Sequence, residues 1–406
     1  MIGDLSFSKI INRNKTLAQK VLMLFVLMFF ISDLITKIFI YFDASLNRFA
    51  GIIKLIFECI MLYYIIKKKE KHYALLLGLI LFFAFLISNI ISKSYFDYTV
   101  VITNIYYFNR YIFIYLFIVF IKSAKINFQD FQDFVKIFKN VIYVNSVLIL
   151  IGYLFEIEFF RSYPYSLRFG YDGIFSKNGE AAYYYIFCIS ILYYEYVLNK
   201  KKRYLIKLII ISSISLLIGK KSILLFLFLL SITHVIFVMK KKKILFFSVI
   251  SAIIGLIFFK NNIGRLIFKM FPFWENVYNR YGLLGTLTSK RSTMLTDFID
   301  YMIHEWNTLN YLFGIGEYEK HKIEFEFFDV FMFFGLIGVF VFWLLFKKYF
   351  YNRSNRLSVC LLMNILITSF FSGALFISVT GMMFFYMVFQ WINVLNNNQL
   401  NSELIE

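Results

Sequence analysis

Long apolar runs, each close to the length of a bilayer crossing, alternate with short polar connections along most of this chain. A helix needs ~20 apolar residues to cross the hydrocarbon, so about twelve spans are predicted. They fall at 21–42, 49–66, 73–92, 105–121, 137–155, 182–199, 204–218, 222–239, 244–259, 328–346, 357–372 and 377–395. One connection breaks the rhythm: the polar stretch 260–327, between the ninth and tenth spans. Long connections in compact proteins are where binding and catalysis concentrate. The predicted fold class is an all-α polytopic integral membrane protein. It forms one domain over 1–406, with a large extracytoplasmic loop containing short helices.

The composition agrees. A chain that is 60% hydrophobic and 22% aromatic has more apolar surface than a soluble protein of 406 residues could cover. Two prolines among long Leu/Ile/Phe/Tyr runs suit helices, which pair every backbone amide inside the segment. The alternating segments of a transmembrane barrel are missing. The net charge of +19 comes from short clusters between apolar runs: Lys67 to Lys69, Lys200 to Arg203, Lys240 to Lys243, and Lys347-Lys348. Such clusters hold connections on the cytoplasmic side, so nucleic acid is not an expected partner. Both termini then lie in the cytoplasm. The connections 43–48, 93–104, 156–181, 219–221, 260–327 and 373–376 face outward. The first run follows Lys9, Arg13, Lys15 and Lys20 and is too long for a signal-peptide core, so it is expected as a retained span. Cys59, Cys188 and Cys360 sit in apolar runs, without metal-like spacing, and are expected as buried thiols.

Several charged groups stand against this background. Lys220 and Lys221 face outward against the topology rule and precede a helix expected to start at Ser222. Ammonium groups beside a helix N-terminus make an anion site, although lysines there can also snorkel to lipid headgroups. Ser289-Lys290-Arg291-Ser292 is expected to open a helix with a serine cap. In that helix Leu295, Phe298 and Met302 share one face, and Asp297, Asp300 and His304 the other. Arg291 offers a planar fork for phosphate oxygens. Arg161 and Arg168 occupy the loop 156–181, and Arg168-Phe169-Gly170-Tyr171 mixes a cation with aromatic faces suited to sugars. Arg110, beside Asn109, lies within the fourth span, where a charge requires a partner or water. Asp33, Lys37, Glu58 and Glu195 are similar, and Asp33 and Lys37 are spaced to pair with each other. Finally, Glu324-Phe325-Glu326-Phe327-Phe328-Asp329 sets carboxylates at the mouth of a span, with His321 upstream.

In these stretches the chain resembles the O-antigen polymerase and O-antigen ligase superfamily. Phe313-Gly314-Ile315-Gly316 is similar to the family's Gly-x-Gly turn. Glu324 to Gly338 is similar to its acidic-aromatic approach to the next span. Gly219-Lys220-Lys221-Ser222 and Arg291 stand where the family places basic residues, and Phe175 to Glu180 is similar to the segment before the sixth span.

The resemblance implies a polysaccharide polymerase of the bacterial plasma membrane. It would join undecaprenyl-pyrophosphate-linked oligosaccharide units at the outer face. Lys220, Lys221, Arg291, Arg168 and Arg110 would hold pyrophosphate. Glu326, Asp329 and Glu324 are the candidate bases, and Tyr171, Phe169 and His321 would contact glycan. The pyrophosphate is already an activated leaving group, so no cofactor or metal is expected. Membrane lipid and a chain-length regulator protein are the further partners implied. A glycan ligase of the same superfamily, and a transporter or flippase for lipid-linked sugars, stay open as alternatives.

Overall fold

The computed structural model describes residues 16–42, 49–69, 72–92, 97–164, 166, 168–239, 272–315 and 318–403. The expected span 244–259, the cluster Lys240 to Lys243, the leader residues Lys9, Arg13 and Lys15, and Gly316 lie outside the described residues. Among the described residues the regular elements are helices, joined by one isolated bridge between Arg161 and Tyr171.

In chain order the α-helices are α1 Leu17–Tyr41, α2 Phe49–Lys68, α3 Tyr73–Ile91, α4 Tyr98–Ser123, α5 Phe128–Leu154, α6 Asn178–Asn199, α7 Lys202–Leu216 and α8 Lys221–Phe237. Four helices of the polar stretch follow: α9 Pro272–Leu287, α10 Arg291–Glu305, α11 Thr308–Phe313 and α12 Tyr318–His321. The chain closes with α13 Glu326–Tyr349, α14 Arg356–Ser372 and α15 Val379–Glu403. Seven of these (α1 to α6 and α13) are long and apolar enough to cross a membrane. α8, α14 and the Val379–Leu395 part of α15 are shorter apolar helices. The protein is a helical, multi-pass membrane protein.

Capping extends helices beyond their hydropathy. Asn127 and Asp130 form a reciprocal capping box at the start of α5, so the helix begins at Phe128 rather than near residue 137. Its first turns bury Phe131, Phe134 and Val135 and expose Gln129 and Lys136. An amphipathic stretch of this kind has a low mean hydropathy and escapes a window average. Asp97 likewise caps α4 seven residues ahead of the expected span, accepting from the backbone of Thr99 and Val100. Those hydrogen bonds, that of the Thr99 hydroxyl first, hold the Asp97 carboxyl below its ordinary value.

α6 and the first part of α15 are buried on all sides. α15 packs on α4, α5, α6 and α14, and α6 packs on α7. A helix apolar all round belongs at the centre of a bundle, and these two form the core. The polar stretch is seated on the bundle through α11, which packs against α3 and α13. Two glycines interlock there. Gly335 has φ +64 and breaks α13, and a Cβ on it would strike the backbone of Leu312 and Phe313. A Cβ on Gly314 would strike the backbone of Phe333. The amide of Ile315 donates to the carbonyl of Met332 at 2.8 Å. The turn at Gly314 is therefore a close-packed junction.

Candidate functional site

The start of α10 departs from expectation. Ser289 and Lys290 both have positive φ, Lys290 takes the capping position, and no side chain caps the helix. Two left-handed residues reverse the chain tightly after α9 and turn Arg291 back toward the bundle. The amphipathic face is as expected: Phe298 is buried, Leu295 and Met302 are half-buried, and Asp297, Asp300 and His304 are exposed.

Arg291 reaches two separate segments. Its Nη2 donates to Glu324 Oε2 at 2.9 Å, and its Nη1 donates to the carbonyl of Phe371 at 3.1 Å. Its Nε is buried and meets no acceptor among the described residues. Glu324 has φ +63, and its carbonyl lies against Gly373 at the turn between α14 and α15. Its side chain is 45% exposed, against 17% for Arg291. Glu324 also lies 3.8 Å from Lys322.

Arg168 belongs to the same neighbourhood. Its guanidinium lies 4.1 Å from the centre of Tyr163, 5.3 Å from Trp274 and 5.6 Å from Phe273. Burial pulls its pKa below the ordinary value. Tyr163 opposes that shift, Arg291 adds to it, and Glu324 opposes it. The Nε of Arg168 and the hydroxyl of Tyr163 are buried and, among the described residues, meet no hydrogen-bond partner. Lys220 takes the N-cap position of α8 in an extended conformation, and its ammonium lies 5.4 Å from the centre of Tyr163. Lys221 sits 3.4 Å from the centre of Trp274 and is tied to the carbonyl of Thr286 and the hydroxyl of Ser289. Tyr163 and Trp274 thus form an aromatic floor shared by three cations. Neither was singled out in the sequence. Each stands in an aromatic stretch containing a proline, Tyr163-Pro164-Tyr165 and Phe271-Pro272-Phe273-Trp274, and that was the available signal.

The other two carboxylates are occupied by backbone. Glu326 accepts from the amides of Leu375, at 3.0 Å, and Phe376. Asp329 Oδ1 accepts from the amides of Ile323, at 2.9 Å, and Glu324, at 3.2 Å. Both side chains are buried. They hold the two turns that present Glu324. Beside them the Tyr183 hydroxyl bonds to Ser372 at 2.6 Å and to the Gly373 carbonyl at 2.8 Å.

The remaining expected residues sit elsewhere. Arg110 lies over Tyr106, 4.5 Å from its centre, close enough for its charge to act on Glu180. Glu180 is buried among Thr380 at 3.1 Å, Lys177 at 3.4 Å and Lys54 at 3.6 Å. Tyr171 is 5% exposed and in T-shaped contact with Tyr153 and Phe169, so little of its ring is open to a ligand. Phe169 keeps an exposed edge. His321 stacks on Tyr301 with ring centres 4.0 Å apart. Asp33 and Lys37 do not pair with each other. Asp33 accepts from Ser176, and Lys37 pairs with Asp172 and donates to the carbonyl of Gly173. Of the other span acids, Glu58 accepts from Asn109 and Glu195 pairs with Lys139. Burial raises the Asp172 carboxyl to about 6, and Lys37 opposes the shift. Among the described residues, no group of three or more His, Cys, Asp or Glu is placed to hold a metal ion.

No protein-family model, curated protein or solved structure matches this chain.

Proposed function

We propose that this chain is a polysaccharide polymerase of the bacterial plasma membrane, joining oligosaccharide repeat units carried on undecaprenyl pyrophosphate. On this reading it belongs with the O-antigen polymerase and ligase superfamily. It has twelve spans, both termini in the cytoplasm, and the 260–327 stretch outside.

One observation supports the reading above the others. Arg168, from the 156–181 connection, and Arg291, at the start of α10, lie close enough that the Arg291 charge lowers the Arg168 pKa. Two guanidiniums match the oxygens of a pyrophosphate. Lys220 adds charge, and the Tyr163 and Trp274 rings suit the sugar that follows.

The acceptor hydroxyl oxygen forms a bond to the donor's anomeric carbon as the bond from that carbon to the pyrophosphate oxygen breaks. The electron pair leaves with the lipid pyrophosphate, whose growing charge the arginines stabilise. The hydroxyl proton passes to a carboxylate, and Glu324 is the exposed one. Pyrophosphate arriving at Arg291 competes for the guanidinium that holds Glu324, so donor binding releases the base.

In cells, Arg168→Ala and Arg291→Ala should leave single repeat units on lipid and no long polymer. Normal polymer in both would reject the reading. Polymer retained on its lipid carrier would indicate a ligase instead. The buried ion pairs that the helices make, Lys37 with Asp172 and Lys54 with Glu180, favour a second reading, movement of a lipid-linked sugar across the bilayer. Accumulation of undelivered units on the inner leaflet of the mutants would select it.

A further inference from the structure

The opposite end of the bundle carries a cavity that sugar transfer does not use. It has a volume of about 430 Å³ and lies where α4 and α13 end and α3 begins. Lys122 from the last turn of α4 and Lys348 from the last turn of α13 both line it. Among the described residues that line it, none is acidic. Lys348 lies 3.6 Å from the centre of the Tyr73 ring. Tyr349 contacts His72 Nδ1 at 3.3 Å, and Gln390 donates to the Tyr349 carbonyl at 2.7 Å. Lysines in a last helical turn are favoured by the helix dipole alone. That term acts on each helix separately and does not explain two lysines from different helices lining one polar cavity.

We infer that this cavity binds a phosphate group, with Lys122 and Lys348 as its charge partners. The cavity is of a size that holds small ligands. It lies at the ends of membrane-crossing helices, the depth at which lipid headgroups sit. Its aromatic walls suit the glycerol and upper acyl region, and its lysines the phosphate. A lipid phosphodiester and a soluble phosphomonoester offer the same chemistry and are separated by experiment.

The test titrates the full-length protein, in a neutral lipid-free detergent, with short-chain phosphatidylglycerol and separately with glycerol 3-phosphate. Binding is read by native mass spectrometry. One saturable site is expected, about tenfold weaker in Lys122→Gln/Lys348→Gln. Lys122→Arg/Lys348→Arg should restore it, and Lys67→Gln/Lys68→Gln, at the same end but outside the cavity, should leave it unchanged. Binding of phosphatidylglycerol alone identifies a lipid site, and binding of glycerol 3-phosphate with the same lysine dependence identifies a soluble one. Equal affinity in the Gln pair, or equal loss in the Lys67/Lys68 control, would overturn the inference.

Discussion

Arg291 donates to Glu324 at 2.9 Å, joining the first residue of α10 to a residue held in the left-handed backbone region. The contact spans 33 positions in sequence. It makes one guanidinium the partner of the half-exposed carboxylate of this cluster and, on the proposed function, the group that an incoming anion would compete for. Arg291→Ala should lower polymer formation by about 10²–10³-fold, and Arg291→Lys should restore only part of it, because an ammonium lacks the fork. Polymerisation by purified protein on lipid-linked repeat units measures both. Equal activity in the Ala and Lys variants would argue against an anion bound in bidentate fashion.

Glu324 and Glu326 are two residues apart and should behave oppositely. Glu326→Ala leaves two buried amides without an acceptor, at about 1–3 kcal/mol each, and should lower the thermal midpoint in detergent. Glu324→Gln should leave that midpoint near the wild-type value and abolish polymer. If Glu324→Gln remained active while a folded Glu326→Gln did not, the base would have to be reassigned to Glu326.

Lys37 and Asp172 should be energetically coupled. Removing Asp172 leaves a buried ammonium without its ion-pair partner, a loss of about 3–5 kcal/mol. Lys37→Met/Asp172→Asn should recover most of it. A double-mutant cycle with no coupling energy would mean that the pair contributes nothing in the membrane.

Asp172 also sets a pH dependence. Its carboxyl is raised from 3.8 to about 6 in the folded protein, so between those values the native state holds a proton that the unfolded state has lost. Stability should therefore fall as pH rises through that window and level off above it. Thermal unfolding at successive pH values should show this contribution disappear in Asp172→Asn. An unchanged difference curve would place the titration on another group.

Sidedness is open to labelling. In a background without the native cysteines, Thr293→Cys on the exposed face of α10 should react with an impermeant thiol reagent on intact cells. Ser354→Cys, in the connection between α13 and α14, should react only after permeabilisation. Reversed labelling would turn the Arg291 cluster toward the cytosol and remove it from any outward glycan chemistry.

Much of the molecule was legible without coordinates. The bilayer selects apolar length and basic ends, both local properties of the chain, so the helical membrane class was evident. The amphipathic face of α10 and the polar break before α13 were evident for the same reason. Helix starts at Phe128 and Tyr98 were not, because caps and amphipathic turns add little to mean hydropathy.

The sequence by itself determined that this protein is a bundle of membrane helices with cations and carboxylates gathered in its polar connections. Only the tertiary structure decided which of those charges meet. Spacing along one helix suggested Asp33 with Lys37, yet Lys37 pairs with Asp172, 135 residues away. Spacing equally left Glu324, Glu326 and Asp329 as equivalent bases, until the amides of Leu375 and Phe376 occupied one and those of Ile323 and Glu324 another. Helical periodicity is carried by neighbours in sequence, whereas ion pairing and desolvation depend on which distant segments share the same few ångströms.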